Sequence, residues 1–188
     1  IFIVLTQGSI FVILAVGLTF VIISKGIDLS VGSVLAFAGV VMGSVSQVVD
    51  ATGKLMPFGP VPFVVTILVA LGVGTLCGIV NGLLIAKTRI PAFIATLGMQ
   101  TAARGLALIY TNGKPVSNLD PNFSRVGGKI FGVIPVPVII YLIEIIIGWI
   151  MLNNTRFGKN VYAIGAISTA AEISGINVAR TTVGIYAI

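Results

Sequence analysis

The stretch Gly26-Ile27-Asp28-Leu29-Ser30-Val31-Gly32-Ser33 lies between two long apolar runs and decides the fold of this chain. It brings a carboxylate and hydroxyl groups to, or close to, the depth of a membrane, where a charge is costly and needs a partner, water or a function. Its glycines allow the backbone to bend where a continuous helix would not. The stretch therefore predicts a helix that is broken or re-entrant at membrane depth.

Composition identifies lipid as the solvent of the rest of the chain. Hydrophobic residues make up 57% of the 188 residues and charged residues only 9%, whereas soluble domains carry about 25% charged residues. The net charge of +6 comes from basic residues scattered singly or in pairs between apolar runs. This pattern is typical of loops at a lipid surface, so we expect no nucleic-acid partner.

Several kinds of chemistry are excluded by residue type. The chain has no histidine, which removes imidazole metal sites and histidine-dependent nucleophiles. Its single cysteine, Cys77, lies in an apolar run, which is typical of a small buried hydrophobe. No GxxxxGK[ST] loop and no suitably spaced carboxylate pair is present. We therefore expect no catalytic residue, metal or cofactor in this chain, and any ATP-driven step would need an ATPase on another chain.

Five segments have about the length that a membrane span needs, although the fourth could also be a pair of half-helices because Gly98, Gln100, Thr101 and Arg104 interrupt it. They cover residues 1–23, 31–49, 61–86, 90–110 and 134–152. Polar loops are expected over 50–60, 112–129 and 153–180, and residues 181–188 resemble the start of another span. Both ends lie in apolar sequence, so we interpret residues 1–188 as one transmembrane domain that is part of a larger protein.

Alternation of these spans predicts an orientation. If 153–180 is cytoplasmic, then 24–30 and 87–89 are cytoplasmic as well, and the basic residues divide six to four in favour of that side. The six are Lys25, Lys87, Arg89, Arg156, Lys159 and Arg180, and the four are Lys54, Lys114, Arg125 and Lys129.

Glycines at four-residue spacing predict close helix packing. Gly74, Gly78 and Gly82 form one such series, and Gly39 and Gly43 form a second. Helices in lipid gain little from the hydrophobic effect, so close backbone contact has to supply much of their attraction. The alternative is chance spacing in a chain with 23 glycines.

Polar residues within apolar runs are the candidates for function. Gly26, Asp28, Ser30, Gly32, Asn81 and Gln100 are the candidates for a helix break and a translocation path. Asp28 or Ser30 could instead cap the helix that starts near Val31, and Asn81 and Gln100 could bond between helices. Glu144 lies in the middle of a span, where we expect it to be protonated or paired with Arg104; Arg104 could also snorkel to the membrane surface.

The polar segment 153–180 carries a predicted short helix. Ser168 is its expected N-cap, the helix continues through Glu172, and Gly175 ends it. Its small apolar face, made by Ala170, Ala171 and Ile173, suits docking into a groove on a soluble partner. A helix lying on the lipid surface is the alternative.

Several passages resemble the permease subunits of bacterial ABC importers for monosaccharides, of the ribose, xylose and galactose type. The resemblance runs in order through nearly the whole chain. The matching passages are residues 21–33, 81–87, 90–99, 104–105, 110–116, 154–160, 163–165 and 174–178. The chain departs from the family pattern at Lys25, where a small residue is common, and at Gly165-Ala166-Ile167-Ser168-Thr169, where the family usually has Gly-Gly-Asn and an acidic pair.

The resemblance implies an all-α polytopic bundle in the bacterial cytoplasmic membrane that imports a monosaccharide by alternating access. It implies a second permease subunit, an ABC ATPase that carries ATP and Mg²⁺, and an extracytoplasmic sugar-binding protein. It places Ser168, Ala170, Ala171, Glu172 and Gly175 in the loop that couples to the ATPase. Two alternatives are a permease of the related branched-chain amino-acid type and an ion-coupled transporter that uses Asp28 or Glu144.

Overall fold

The computed structural model describes residues 2–48, 55–57, 60–124, 128–130 and 134–188, and these residues form a helical bundle. The helices are α1 (Phe2–Ile23), α2 (Val31–Val45), α3 (Phe63–Thr88), α4 (Ala92–Thr111), α5 (Pro121–Ser124), α6 (Val136–Asn154), α7 (Arg156–Ala166), α8 (Ser168–Ile173) and α9 (Val178–Ala187). Two-residue strands, β1 (Lys129–Ile130) and β2 (Ile134–Pro135), pair antiparallel. The predicted all-α transmembrane bundle is confirmed.

Among the described residues, four helices are long and apolar enough to cross a membrane: α1, α3, α4 and α6. The helix α2 has only 15 residues, fewer than the roughly 20 that a straight span needs. The predicted span over 90–110 is one continuous helix rather than two halves. Residues 1, 49–54, 58–59, 125–127 and 131–133, among them Lys54 and Arg125, lie outside the described residues.

Proline and left-handed residues set the ends of the long helices. Pro62, Pro91 and Pro135 stand immediately before α3, α4 and α6, where the missing N–H of proline costs nothing. At the end of α4, Asn112 has a φ of 51°. The N–H of Gly113 donates to the Leu108 carbonyl at 2.9 Å, which closes the helix in a Schellman motif.

The helices pack in two groups. One contains α1 and α6, and the other contains α2, α3, α4 and α9, with the closest association between α3 and α9. A small buried cluster of Phe20, Val21, Val161, Ile185 and Tyr186 joins α1, α7 and α9. Large apolar side chains on the outer surfaces stay exposed, as expected where lipid surrounds the protein.

The two ends of the bundle are held by different polar contacts. At one end, the Lys25 ammonium group donates to the Ala166 carbonyl at 3.0 Å, so the break after α1 and the end of α7 lie together. This contact agrees with the predicted placement of 24–30 and 153–180 on one side of the membrane. At the other end, buried Gln47 donates to the Ser117 carbonyl and accepts from the Leu55 N–H, each at 3.1 Å.

The helix α7 differs from the prediction, since the sequence pattern predicts a helix in this segment only near 168–174. The Thr155 hydroxyl accepts the Gly158 N–H at 3.2 Å and so caps α7. Val161 and Ile164 are buried, and the ring of Phe157 lies 6.3 Å from that of Phe20. The helix therefore packs one face on the bundle. The predicted loop 112–129 likewise contains the short α5 and the strand β1.

Candidate functional site

The non-helical segment between α1 and α2 is organised around the Asp28 carboxylate. Its Oδ1 accepts the Ser30 N–H at 2.7 Å and the Ser30 hydroxyl at 2.6 Å. Ser30 stands at the N-cap of α2 but its side chain makes no capping bond. Neither Asp28 nor Ser30 therefore caps the N–H groups inside α2, so that expectation is wrong. The Asp28 carboxylate instead bonds the N–H of the N-cap residue Ser30, in an Asx-type turn.

Asn81 connects this turn to α3. Its Nδ2 donates to the Ser30 hydroxyl at 3.0 Å, and the side chain is 1% exposed. The three side chains thus form one chain of hydrogen bonds, from Asn81 through Ser30 to Asp28. The Asn81 Oδ1 is buried and has no hydrogen-bond partner among the described residues. Asn81 therefore bonds between helices and also keeps a free acceptor.

Tyr186 and Thr96, which are not among the predicted site residues, bond the backbone of the break. The Tyr186 hydroxyl on α9 donates to the Ile27 carbonyl at 3.3 Å. The Thr96 hydroxyl on α4 accepts the Leu29 N–H at 3.3 Å and lies 3.4 Å from the Ile27 carbonyl. A Cβ on Gly26 would lie 2.6 Å from the Tyr186 hydroxyl oxygen, so a larger residue there would have to displace that hydroxyl group. The weak signal for Thr96 was a hydroxyl near the start of an apolar helix.

A cavity of about 350 Å³ opens between the two groups of helices beside the break. Most of its walls are apolar, and its polar lining residues are Asp28, Ser30, Thr75, Asn81, Glu144 and Tyr186. Gly74 also lines it. Gly32 is not in its lining, and a Cβ there would meet open space. The structure thus brings Asp28, Ser30 and Asn81 together and adds Glu144 to them.

Gln100 and Arg104, both on α4, lie apart from this group. Gln100 is half-buried, its side chain makes no hydrogen bond within the described ranges, and it does not line the cavity. Arg104 is exposed. The Glu144 Oε2 is buried without a hydrogen-bond partner in the residues that the structure describes, so the ion pair considered between Glu144 and Arg104 is not found there.

The predicted packing glycines differ in how closely other helices approach them. A Cβ on Gly78 would lie 1.8 Å from the Tyr186 carbonyl oxygen, and one on Gly82 would lie 2.6 Å from the Val183 Cα. Both glycines therefore receive the backbone of α9. Gly43 faces the Val116 side chain at 3.2 Å, whereas Gly39 and Gly74 have nothing within 4 Å. The series on α3 thus contacts α9 at its last two glycines.

The helix α8 begins at Ser168, with Ile167 rather than Ser168 at the N-cap and no capping side chain. Gly175, with a φ of 85°, closes it. The Gly175 N–H donates to the Glu172 carbonyl and the Ile176 N–H to the Ala171 carbonyl, each at 3.0 Å, which is the Schellman pattern. The prediction of Ser168 as the N-cap is wrong. The N-cap is the preceding residue, Ile167, whose side chain has no hydrogen-bond acceptor, and Ser168 is already the first residue of the helix.

The side chains of the predicted apolar face of α8 do not all point the same way. Ala171 is 4% exposed and packs inward, whereas Ile173 is 88% exposed. Ala170 and Glu172 are also exposed. The outward surface of α8 therefore includes the apolar side chains of Ala170 and Ile173 beside the charged Glu172.

We expect Gly175→Ala to loosen the end of α8. Alanine in the left-handed region costs about 1 kcal/mol, although nothing lies within 4 Å of the added methyl group. Hydrogen exchange at the Gly175 and Ile176 positions should accelerate about fivefold. Gly105→Ala on α4, which also meets open space, is the control and should leave exchange in α8 unchanged. Equal exchange in the two variants would contradict the expectation.

Comparison with known proteins identifies the relatives of the chain. A family model described as "Branched-chain amino acid transport system / permease component" matches residues 1–188. The galactose/methyl galactoside import permease protein MglC of Haemophilus influenzae is 37% identical over 98% of this chain and 57% of its own length. The ribose import permease protein RbsC of Escherichia coli is 39% identical over 100% of this chain and 56% of its own length.

The ribose import permease protein RbsC of Bacillus subtilis is 41% identical over 86% of this chain and 48% of its own length. The chain thus spans about half the length of the curated relatives it matches. No solved structure matches it.

Proposed function

Since the chain belongs to the family of the branched-chain amino acid transport system permease component, we propose that it is part of the permease subunit of an ATP-driven importer for a monosaccharide. The observation that carries the proposal is the identity of 37–39% over at least 98% of the chain to permeases named for galactose and ribose. The substrate would cross by alternating access, with the bundle opening to one side of the membrane and then to the other.

The cavity supports a neutral sugar over an amino acid. A zwitterion brings a carboxylate, which needs a cation or several N–H donors in a site shielded from water. The described residues that line the cavity include Asp28 and Glu144 but no lysine or arginine. A sugar requires hydrogen bonds without a counter-ion, so this lining favours the sugar over the branched-chain amino-acid alternative.

The ion-coupled alternative is not favoured. The Asp28 carboxylate bonds the backbone and hydroxyl of Ser30, which gives it a structural role at the turn. The named relatives are import permease proteins, and the chain is similar to them from end to end. Glu144 remains the carboxyl group through which ion coupling would have to act.

The proposed assembly follows from the same relationship. The protein would lie in the bacterial cytoplasmic membrane as a multi-pass subunit with no catalytic residue or cofactor of its own. It would pair with a second permease subunit, receive its sugar from an extracytoplasmic binding protein and be driven by an ABC ATPase that holds ATP and Mg²⁺. The loop 153–180 would be its contact with the ATPase.

The packing of α7 supports a mechanical role for that loop. A Cβ on Gly165 would lie 1.8 Å from the Ile23 carbonyl oxygen, so the end of α7 rests directly on the end of α1. The Lys25–Ala166 hydrogen bond joins the same two segments. A displacement of α8 by the ATPase would therefore reach the break at residues 24–30 through α7.

The proposal is tested by capture of the ATPase on the tagged full-length permease. We expect the ATPase to co-purify with the wild type and Ile173→Glu to reduce the captured amount at least tenfold, because the exposed apolar side chain would become a charge at the contact. Ser117→Glu places the same charge on an exposed residue at the opposite end of the bundle, beside Gln47, and should leave capture unchanged. If no ATPase co-purifies with the wild type, the proposed function is wrong.

A further inference from the structure

We propose that Asn81 and Glu144 are specificity-determining residues of the cavity, whose free oxygens accept hydrogen bonds from the hydroxyl groups of a neutral polyol in transit. The inference rests on the proposed function and assigns the atoms that would recognise the substrate inside the membrane. It depends on the two unpartnered buried oxygens, on their common cavity and on the absence of a cation in its described lining.

The orientation of the Asn81 amide follows from the hydrogen-bond chain. The Ser30 hydroxyl donates its only proton to the Asp28 carboxylate, and an ionised carboxylate can only accept. The Ser30 oxygen must therefore accept its bond from the neighbouring amide, so the NH₂ group of Asn81 faces Ser30. This leaves the Asn81 Oδ1, on a side chain that is 1% exposed, without a donor among the described residues. A buried acceptor left without a donor is destabilising.

Glu144 supplies the second acceptor from the other group of helices. It lies on α6, which packs on α1, whereas Asn81 lies on α3. Its Oε2 is buried and unpartnered among the described residues, and its side chain lines the same cavity. A ligand that donates to both oxygens would therefore connect the two helix groups.

The chemistry of the lining selects the ligand class. The two unpartnered buried atoms are oxygens that can accept, and a ligand hydroxyl group can donate to them without bringing a charge into the membrane. The volume of about 350 Å³ falls within the range of about 300–1,000 Å³ that small-molecule sites occupy. The apolar walls around a few polar atoms are also typical of such sites.

The test is sugar uptake by the full-length permease, reconstituted in liposomes with its ATPase and binding protein. The probes are D-ribose and D-galactose and their monodeoxy derivatives. We expect Asn81→Leu and Glu144→Leu each to lower the maximal uptake rate of the transported sugar about tenfold. Glu144→Gln, which keeps an acceptor oxygen, should stay within about twofold of the wild type. Gln7→Leu, at an exposed position of α1, controls for the replacement of a polar side chain by leucine.

The ratio of the uptake rates of a sugar and its deoxy derivative would not change if a variant merely lost folded protein. If Asn81 accepts a sugar hydroxyl, removing that hydroxyl should slow the wild type about tenfold and slow Asn81→Leu hardly further. The binding protein is the same in both, so its own preference cancels in the ratio. Leucine is well tolerated in lipid-embedded helices, so Glu144→Leu should assemble with the ATPase even if Asn81→Leu does not fold.

Two results would overturn the inference while leaving the proposed function intact. In one, the wild type transports a sugar and both leucine variants transport it at the same rate with the same preference among deoxy derivatives. In the other, Glu144→Gln is as inactive as Glu144→Leu and uptake depends on a proton gradient, which would make Glu144 an ion carrier. Failure of the wild type to transport either sugar, although it assembles with the ATPase, would instead overturn the proposed function.

Discussion

Gly78→Ala is expected to lower the free energy of unfolding by about 3 kcal/mol, because overpacking against a rigid element costs this order of energy. The added methyl carbon would lie 1.8 Å from the Tyr186 carbonyl oxygen and 2.8 Å from its carbonyl carbon. These are backbone atoms of α9, so no side-chain rotation can relieve the overlap, and α9 has to move away from α3. The measurement is thermal unfolding of the purified protein in detergent.

Gly72→Ala is the matched control for this change. Gly72 lies on the same helix, and a Cβ there would meet nothing within 4 Å. Alanine is favoured over glycine in a helix by about 1 kcal/mol, so this variant should be as stable as the wild type or more stable. Equal stability of the two alanine variants would show that α9 does not rest on Gly78.

Asp28→Ala is expected to destabilise the protein by about 2–3 kcal/mol, since hydrogen bonds to a charged group contribute about 1.5–3 kcal/mol each and Asp28 is only half-buried. The change removes the acceptor of both the Ser30 N–H and the Ser30 hydroxyl. Ser30 is 1% exposed, so water cannot readily replace the carboxylate.

Asp28→Asn separates the geometry of this acceptor from its charge. Asparagine keeps an oxygen at the Oδ1 position, so we expect it to recover about half of the stability lost in Asp28→Ala, measured by thermal unfolding. Equal losses in the two variants would show that the charge, rather than the turn, is what stabilises the break. Full stability combined with complete loss of sugar uptake would assign Asp28 to ion transfer instead.

The positions of the long helices were largely predictable because they depend on local properties. Apolar length located all four long helices to within two residues at each end, and the small errors follow from the residues that end helices. The span expected over 61–86 begins at Phe63 because Pro62 precedes it, and it ends at Thr88 because Arg89, with a φ of 57°, is left-handed. Such residues shift the predicted ends of a helix by one or two positions, but the helix itself is predicted correctly.

The helix α7 shows a prediction that missed an available signal. Thr155 is followed by Phe157, Val161 and Ile164, at the spacing that places side chains on one helix face. The polar residues between them made the segment resemble a loop. Burial of one narrow face was sufficient to fold it, since Val161 is 0% exposed.

The composition of the site could be predicted only in part, because it depends on how helices are rotated against one another. Asn81 and Gln100 are both amides in apolar runs, yet only Asn81 lines the cavity. Asn81 and Ser30 meet across 51 residues of sequence, a relation that no local pattern contains. Thr96 and Tyr186 were missed for the same reason, since their role depends on where the Ile27 carbonyl lies.

The contact of α3 with α9 also determines which substitutions this protein can tolerate. The atoms that face Gly78 and Gly82 belong to the backbone of α9, including the carbonyl of Tyr186 and the Cα of Val183, and every amino acid has these atoms. The contact therefore specifies residue type on one helix only. Saturation mutagenesis should find a single permitted residue at 78 and 82 but a broad range at 183, so variability on one side of an interface need not mean that the interface is weak.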